Sequence, residues 1–144
     1  MAKVLIKIDG QPIEVEEGSY VLEAAKALGI NIPTLCYYPY MTPYAACRIC
    51  AVEARNEKGW TKIVTACNYP AWEGLEVLTS TPRVLNARRI NLEMLLSRCA
   101  PAPVLKQLAE EFGIDNLAGE LAMTHAYFAA YACASVMILS GPML

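Results

Sequence analysis

The chain has a single histidine, His125, among its 144 residues. A metal centre that needs two imidazole ligands, the Rieske arrangement, is therefore excluded. Lysine and arginine total 12 against 14 aspartates and glutamates, a net charge of −2. The basic surface that phosphate backbones require is missing, so nucleic acid is not expected as a partner. Glycines at positions 10, 18, 29, 59, 74, 113, 119 and 141 are dispersed as turns and caps. None builds a phosphate-cradling loop, so neither NAD nor flavin is expected to bind this chain itself. The opening Met1-Ala2-Lys3-Val4-Leu5-Ile6-Lys7 is too short an apolar run for a signal-peptide core, and no small-residue cleavage site follows. The expected location is the cytoplasm, where thiols are kept reduced. Charge of either sign is also scarce, 18% against 56% hydrophobic residues. Some apolar surface is therefore expected to face a partner or a membrane.

Cysteine is present in a pattern. Cys36, Cys47, Cys50 and Cys67 are spaced C-x10-C-x2-C-x16-C. Four thiolates without a histidine can hold an iron–sulfur cluster, hold zinc, or form two disulfides. A reducing compartment disfavours disulfides. Zinc ribbons and fingers present two close cysteine pairs, each forming a knuckle, whereas this chain has one close pair and two singletons. A plant-type ferredoxin binds its 2Fe–2S cluster with a short first gap, then C-x2-C, then a distant cysteine. Here the middle and last features agree and the first gap is longer.

The flanking sequence places these residues. Val4, Ile6 and Ile8 alternate within 3–8 and predict a strand; Asp9-Gly10 predicts a hairpin turn, and 12–16 the returning strand. Ser19 is expected to cap a helix over about 20–28 that Gly29 ends. A long loop over about 30–48 holds Cys36, Cys47, Tyr37, Tyr38, Tyr40 and Tyr44, and long loops in compact domains are usually functional. Strands follow at 49–55, 60–66 and 75–79. Thr81-Pro82 starts a helix running to about Arg98, with Val84, Leu85, Ile90, Leu92, Leu95 and Leu96 apolar, and a shorter helix covers about 103–112. The order predicts an α+β fold of the β-grasp type, a small mixed sheet with one helix across it. The expected organisation is a domain over 1–80, a helical extension over 81–115 and an apolar helix or tail over 116–144.

The run Ala46-Cys47-Arg48-Ile49-Cys50-Ala51-Val52-Glu53, with Cys36 before it and Cys67 after, resembles the N-terminal 2Fe–2S ferredoxin-like domain of the large iron–sulfur subunit of respiratory complex I. The same domain opens related NAD-reducing hydrogenase and NAD-linked formate dehydrogenase subunits. The similarity extends from Val4 to about Gly113. It includes Gly18-Ser19, Leu22-Glu23-Ala24-Ala25, Ile32-Pro33-Thr34-Leu35-Cys36, Arg88-Arg89 and Leu92-Glu93-Met94-Leu95-Leu96-Ser97-Arg98. The resemblance implies a one-electron carrier with one 2Fe–2S cluster and Cys36, Cys47, Cys50 and Cys67 as ligands. By analogy with ferredoxins, Cys36 and Cys47 are expected on one iron, Cys50 and Cys67 on the other. Arg48 and the loop's backbone N–H groups are expected to favour the reduced cluster, and the tyrosines to wall it from water. The implied role is that of a non-catalytic subunit, with flavin- or iron–sulfur-containing redox subunits as partners. The competing reading is a structural zinc or interaction module of the same fold.

The chain also departs from that family. Longer members follow the second helix with a histidine and three cysteines holding a 4Fe–4S cluster. Here Cys99 stands at the histidine position in Arg98-Cys99-Ala100-Pro101-Ala102-Pro103, and no cysteines follow at the expected places, so no second cluster is expected. Cys99 is expected to be a buried apolar residue, with a vestigial or partner-shared ligand as the alternative. Ala45 occupies a place where the family often has glycine. From Leu121 to Leu144 there is no Asp, Glu, Lys or Arg. As a helix those residues would extend about 36 Å, enough for a bilayer. Frequent alanine, His125 and the absence of flanking basic residues favour instead a helix docked on the domain or a partner. His125 and Cys133 are expected to be packing residues.

Overall fold

In strand β1 (Lys3–Ile8), Val4, Ile6 and Ile8 are buried while Lys3, Leu5 and Lys7 face outward. This period of two is what a half-buried strand imposes. The computed structural model describes residues 2–99 and 102–114. Asp9 and Gly10 take positive φ angles of 48° and 81°, the backbone that matches a two-residue turn to the strand twist. Strand β2 (Gln11–Glu16) returns antiparallel, with Ile13 opposite Ile6. A second hairpin pairs β3 (Ala51–Arg55) with β4 (Thr61–Thr65) around the turn at Asn56, whose side-chain oxygen accepts from the Trp60 N–H at 2.9 Å.

Strand β5 (Glu76–Leu78) joins the two hairpins. It runs parallel to β1 and antiparallel to β3, giving one five-stranded sheet in the order β2-β1-β5-β3-β4. Helix α1 (Val21–Ala27) buries Val21, Leu22, Ala24 and Ala25 in the same core as Ile6, Ile8, Val52, Ala54 and Val77. Fully burying a Val, Leu or Ile contributes about 1.5–3 kcal/mol, so this seam holds the sheet and helix together. The fold is α+β of the β-grasp type.

Helix α2 (Pro82–Cys99) starts where Thr81 caps it: Thr81 Oγ1 accepts from the Val84 N–H at 3.3 Å. Its apolar residues do not all form one buried stripe. Val84, Leu92 and Leu96 are buried, but Leu85 and Ile90 are exposed. Helix α3 (Pro103–Glu111) ends before Gly113, at φ 65°. The chain divides into two compact units, Met1–Leu92 and Glu93–Leu144. The first holds the sheet and α1; in the second, Leu96, Leu105, Leu108 and Ala109 are buried. Among the described residues no helix is long and apolar enough to cross a membrane. The Leu121–Leu144 tail, with His125 and Cys133, lies outside the described residues.

Candidate metal centre

Cys36 lies half-buried in the loop after α1. Cys47 and Cys50 are buried in the segment entering β3, and Cys67 is buried just beyond β4. These four thiols couple electrostatically as two adjacent pairs, Cys36 with Cys47 and Cys50 with Cys67. The pairs also lie close enough for Cys67 to feel the charges of Cys36 and Cys47. Among the described residues no three His, Cys, Asp or Glu side chains converge as ligands of a single ion would. A two-by-two arrangement of thiols suits a two-iron centre, in which each iron takes two protein sulfurs, better than a tetrahedral site on one ion.

The loop turns its backbone N–H groups toward these sulfurs. Burial alone would raise the Cys36 thiol pKa. Donation from the Cys47 backbone and side chain, and from the Ala46 and Cys36 backbones, holds it below its ordinary value instead. Burial raises Cys47, against donation from the Ile49 backbone. Cys67 is pushed up to about 12 by burial, by the adjacent Cys50 thiol and by the negative charge of the other three cysteines. Crowded thiolates that repel one another are the electrostatic situation a metal relieves. Ala45 and Arg48 both adopt φ 55°. These left-handed residues let successive N–H groups face inward, as anion-binding nests do. Glycine would take the positive φ of Ala45 without steric penalty.

Cys67 is held in place by the start of α1. The Leu22 N–H donates to the Ala66 carbonyl at 2.9 Å and the Val21 N–H to the Tyr69 carbonyl at 3.0 Å. The first donors of the helix are thus satisfied by the segment carrying the cysteine. The expected Ser19 cap is absent: Tyr20 occupies the cap position with no side-chain hydrogen bond, and Ser19 Oγ is buried without a partner. Tertiary carbonyls have replaced the local cap.

Two further expectations are corrected. Tyr38, Tyr40 and Tyr44 are exposed and do not wall the site. Tyr37 alone of the four packs against the core, with Lys26 Nζ 4.4 Å from its ring centroid. Cys99 is exposed rather than buried. Arg48 is exposed, a position compatible with the charge role expected of it; the guanidinium buried beside the site belongs to Arg88, which donates Nε–H to the Ala51 carbonyl at 3.0 Å. A helix read for its apolar positions does not single out Arg88. Its spacing is the signal that could have, four residues after Val84 and four before Leu92 on the buried face.

Comparison with known proteins agrees with this geometry. The chain is 41% identical over 128 residues to the NADP-reducing hydrogenase subunit HndD of Solidesulfovibrio fructosivorans, covering 79% of this chain and 21% of that one. It is 44% identical over 94 residues to an NADH-quinone oxidoreductase subunit of Rhizobium meliloti, covering 65% and 11%. The chain thus spans about a fifth or less of the length of these curated relatives. Among solved structures, an NAD+-reducing [NiFe]-hydrogenase in the H2-reduced state matches with a TM-score of 0.68 and 33% identity, over 81% of this chain and 52% of that one. The model of the 2Fe-2S iron-sulfur cluster binding domain matches residues 1–82, and the chain belongs to that family.

Proposed function

We propose that Cys36 and Cys47 bind one iron of a 2Fe–2S cluster and Cys50 and Cys67 the other, and that the chain carries single electrons within a larger redox assembly. The observation that carries this reading is the two-by-two pairing of the thiols at one end of the sheet. When bound, the cluster supplies one-electron chemistry, its potential set by surrounding charge and hydrogen bonds. The protein's part is to hold four sulfurs, aim loop N–H groups at them and keep three of the four cysteines out of water. The relatives are named as subunits of hydrogenases and NADH-type oxidoreductases, which supports flavin- or iron–sulfur-bearing subunits as partners. Substrate chemistry then resides in those subunits and the assembly works in the cytoplasm. Exposed Tyr38, Tyr40, Met41 and Tyr44, in the loop that carries Cys36 and Cys47, fit such a protein partner.

The test is anaerobic purification followed by iron, sulfide and zinc analysis, visible absorbance, and electron paramagnetic resonance after dithionite reduction. The expected result is two irons and two sulfides per chain, as the cluster requires, with a paramagnetic signal on reduction. A colourless protein with stoichiometric zinc overturns the proposal.

A further inference from the structure

We propose that Arg88 is a positioning and charge-tuning residue of the cluster site, a fixed cation behind Cys50 that raises the reduction potential. This rests on the assignment of Cys50 as a ligand. Arg88 is 6% exposed, unusual for a residue that ordinarily keeps its charge in water. Its Nε–H donates to the carbonyl of Ala51, the residue directly after Cys50. That bond ties α2 to the point where the ligand segment enters β3. Nη2 is buried with no hydrogen-bond partner.

Among the described residues no carboxylate forms an ion pair with Arg88, and the buried carboxylate of Glu53 is taken by Arg55 and Arg83. The negative groups whose charge Arg88 feels are Cys50 and, less strongly, Asp9. Asp9 is already engaged by the Thr79 N–H at 2.8 Å and by the Thr79 hydroxyl. A buried guanidinium with an unused donor is costly unless negative charge offsets it. A four-thiolate centre supplies that charge next door.

On reduction the centre accepts one electron from a donor, dithionite in the titration below. No bond to sulfur breaks, and the site gains one negative charge. A nearby buried cation stabilises the reduced form more than the oxidised form. It is screened little by salt, because no mobile ions reach it. Exposed Arg48 lacks that advantage.

The experiment is a dithionite titration of the holoprotein followed by visible absorbance and paramagnetic resonance, for the native chain, Arg88→Met and Arg88→Lys, at low and high salt. Methionine fills the buried space without charge; lysine keeps the charge. Arg88→Met is expected to lower the reduced-to-oxidised ratio at a given potential about tenfold, a midpoint lower by about 59 mV for one electron, at both salt concentrations. Arg88→Lys is expected to change the ratio less than threefold. A change under threefold in Arg88→Met, or a loss in Arg88→Lys as large as in Arg88→Met, overturns the proposal. Should Arg88→Met yield no cluster, Arg88→Lys decides alone: a reduced-to-oxidised ratio within threefold of native at a given potential supports the assignment, and a larger fall overturns it. A native chain without a reducible 2Fe–2S signal refutes the ligand assignment itself. A native signal whose reduced-to-oxidised ratio changes less than threefold in Arg88→Met refutes only the role of Arg88.

Discussion

The Cys50 carbonyl accepts a hydrogen bond of 3.0 Å from the Ala66 N–H. The β3–β4 ladder, whose last paired residues are Ala51 and Thr65, thus continues one step beyond the strands. That step sets Cys50 and Cys67 side by side at one end of the sheet. A ligand on a ladder is held more firmly than one on a free loop, because the backbone cannot move without breaking paired bonds.

Cys50→Ala is therefore expected to abolish assembly of the cluster, because it removes one of two sulfurs from an iron. Cys99→Ala is expected to leave iron content at the native level, since Cys99 is exposed near the end of α2. Iron and sulfide content with visible absorbance after anaerobic purification measures both. Equal loss in the two variants contradicts the ligand assignment.

Ser19→Ala is expected to change stability by less than about 0.5 kcal/mol, where loss of a working cap costs about 1 kcal/mol. The Ser19 hydroxyl is buried without a partner, and its removal deletes an unsatisfied polar group. Urea denaturation of the apoprotein checks this. A loss above about 1 kcal/mol would mean that the hydroxyl caps α1 after all.

Ala45→Gly is expected to stabilise the fold by about 1 kcal/mol, since Ala45 holds φ 55° and only glycine adopts that region without a steric penalty. The urea midpoint should rise with an unchanged slope. A fall in the midpoint contradicts the assignment of strain to this position.

Glu53 gives a pH prediction. It is buried, accepts from the Thr81 hydroxyl at 2.7 Å and from Arg55, and lies 3.4 Å from Arg83. The Thr81 bond, followed by those arginines, holds its carboxyl below the ordinary value of 4.5 against the effect of burial. A depressed folded pKa stabilises the protein above the unfolded value, and this contribution is lost as pH falls through the folded one. Native stability should therefore drop as pH falls below 4.5. Glu53→Gln should weaken that dependence and cost about 2 kcal/mol at neutral pH, chiefly through the charged hydrogen bonds. The half-exposed arginines add little. Urea midpoints across the acid range, native against variant, decide it; parallel curves contradict the role given to Glu53.

Local signals in the sequence carried the hairpins, the loop and the four cysteines. Alternation at Val4, Ile6 and Ile8, the Asp9-Gly10 turn and the Thr81-Pro82 helix start each depend on neighbouring residues alone, and each stands in the structure. What was not legible depends on distant partners. Ser19 was displaced as a cap by the carbonyls of Ala66 and Tyr69, which no local pattern encodes. The tyrosines of the 30–48 loop read as a shield because aromatic residues usually bury area. Yet Tyr40 stands 90% exposed. Arg88 was half legible: helical spacing put it on the buried face, but only its acceptor at Ala51 explains why a cation lies there.

Strand β5 has only three residues, yet it pairs with both β1 and β3. Each hairpin can form from nearby chain, but the two become one sheet only when this late strand enters between them. The clasp of Asp9 on Thr79 closes a span of 70 residues, and all four candidate ligands lie within it. Contacts of such separation form slowly, because loop entropy is lost before they reward the chain. The sheet that carries the cysteine site is therefore closed by a contact of far greater loop-entropy cost than either hairpin turn. A chain cut short before Thr79 lacks the Asp9 clasp that closes the sheet, although the β3–β4 ladder that sets Cys50 beside Cys67 is already present in its sequence.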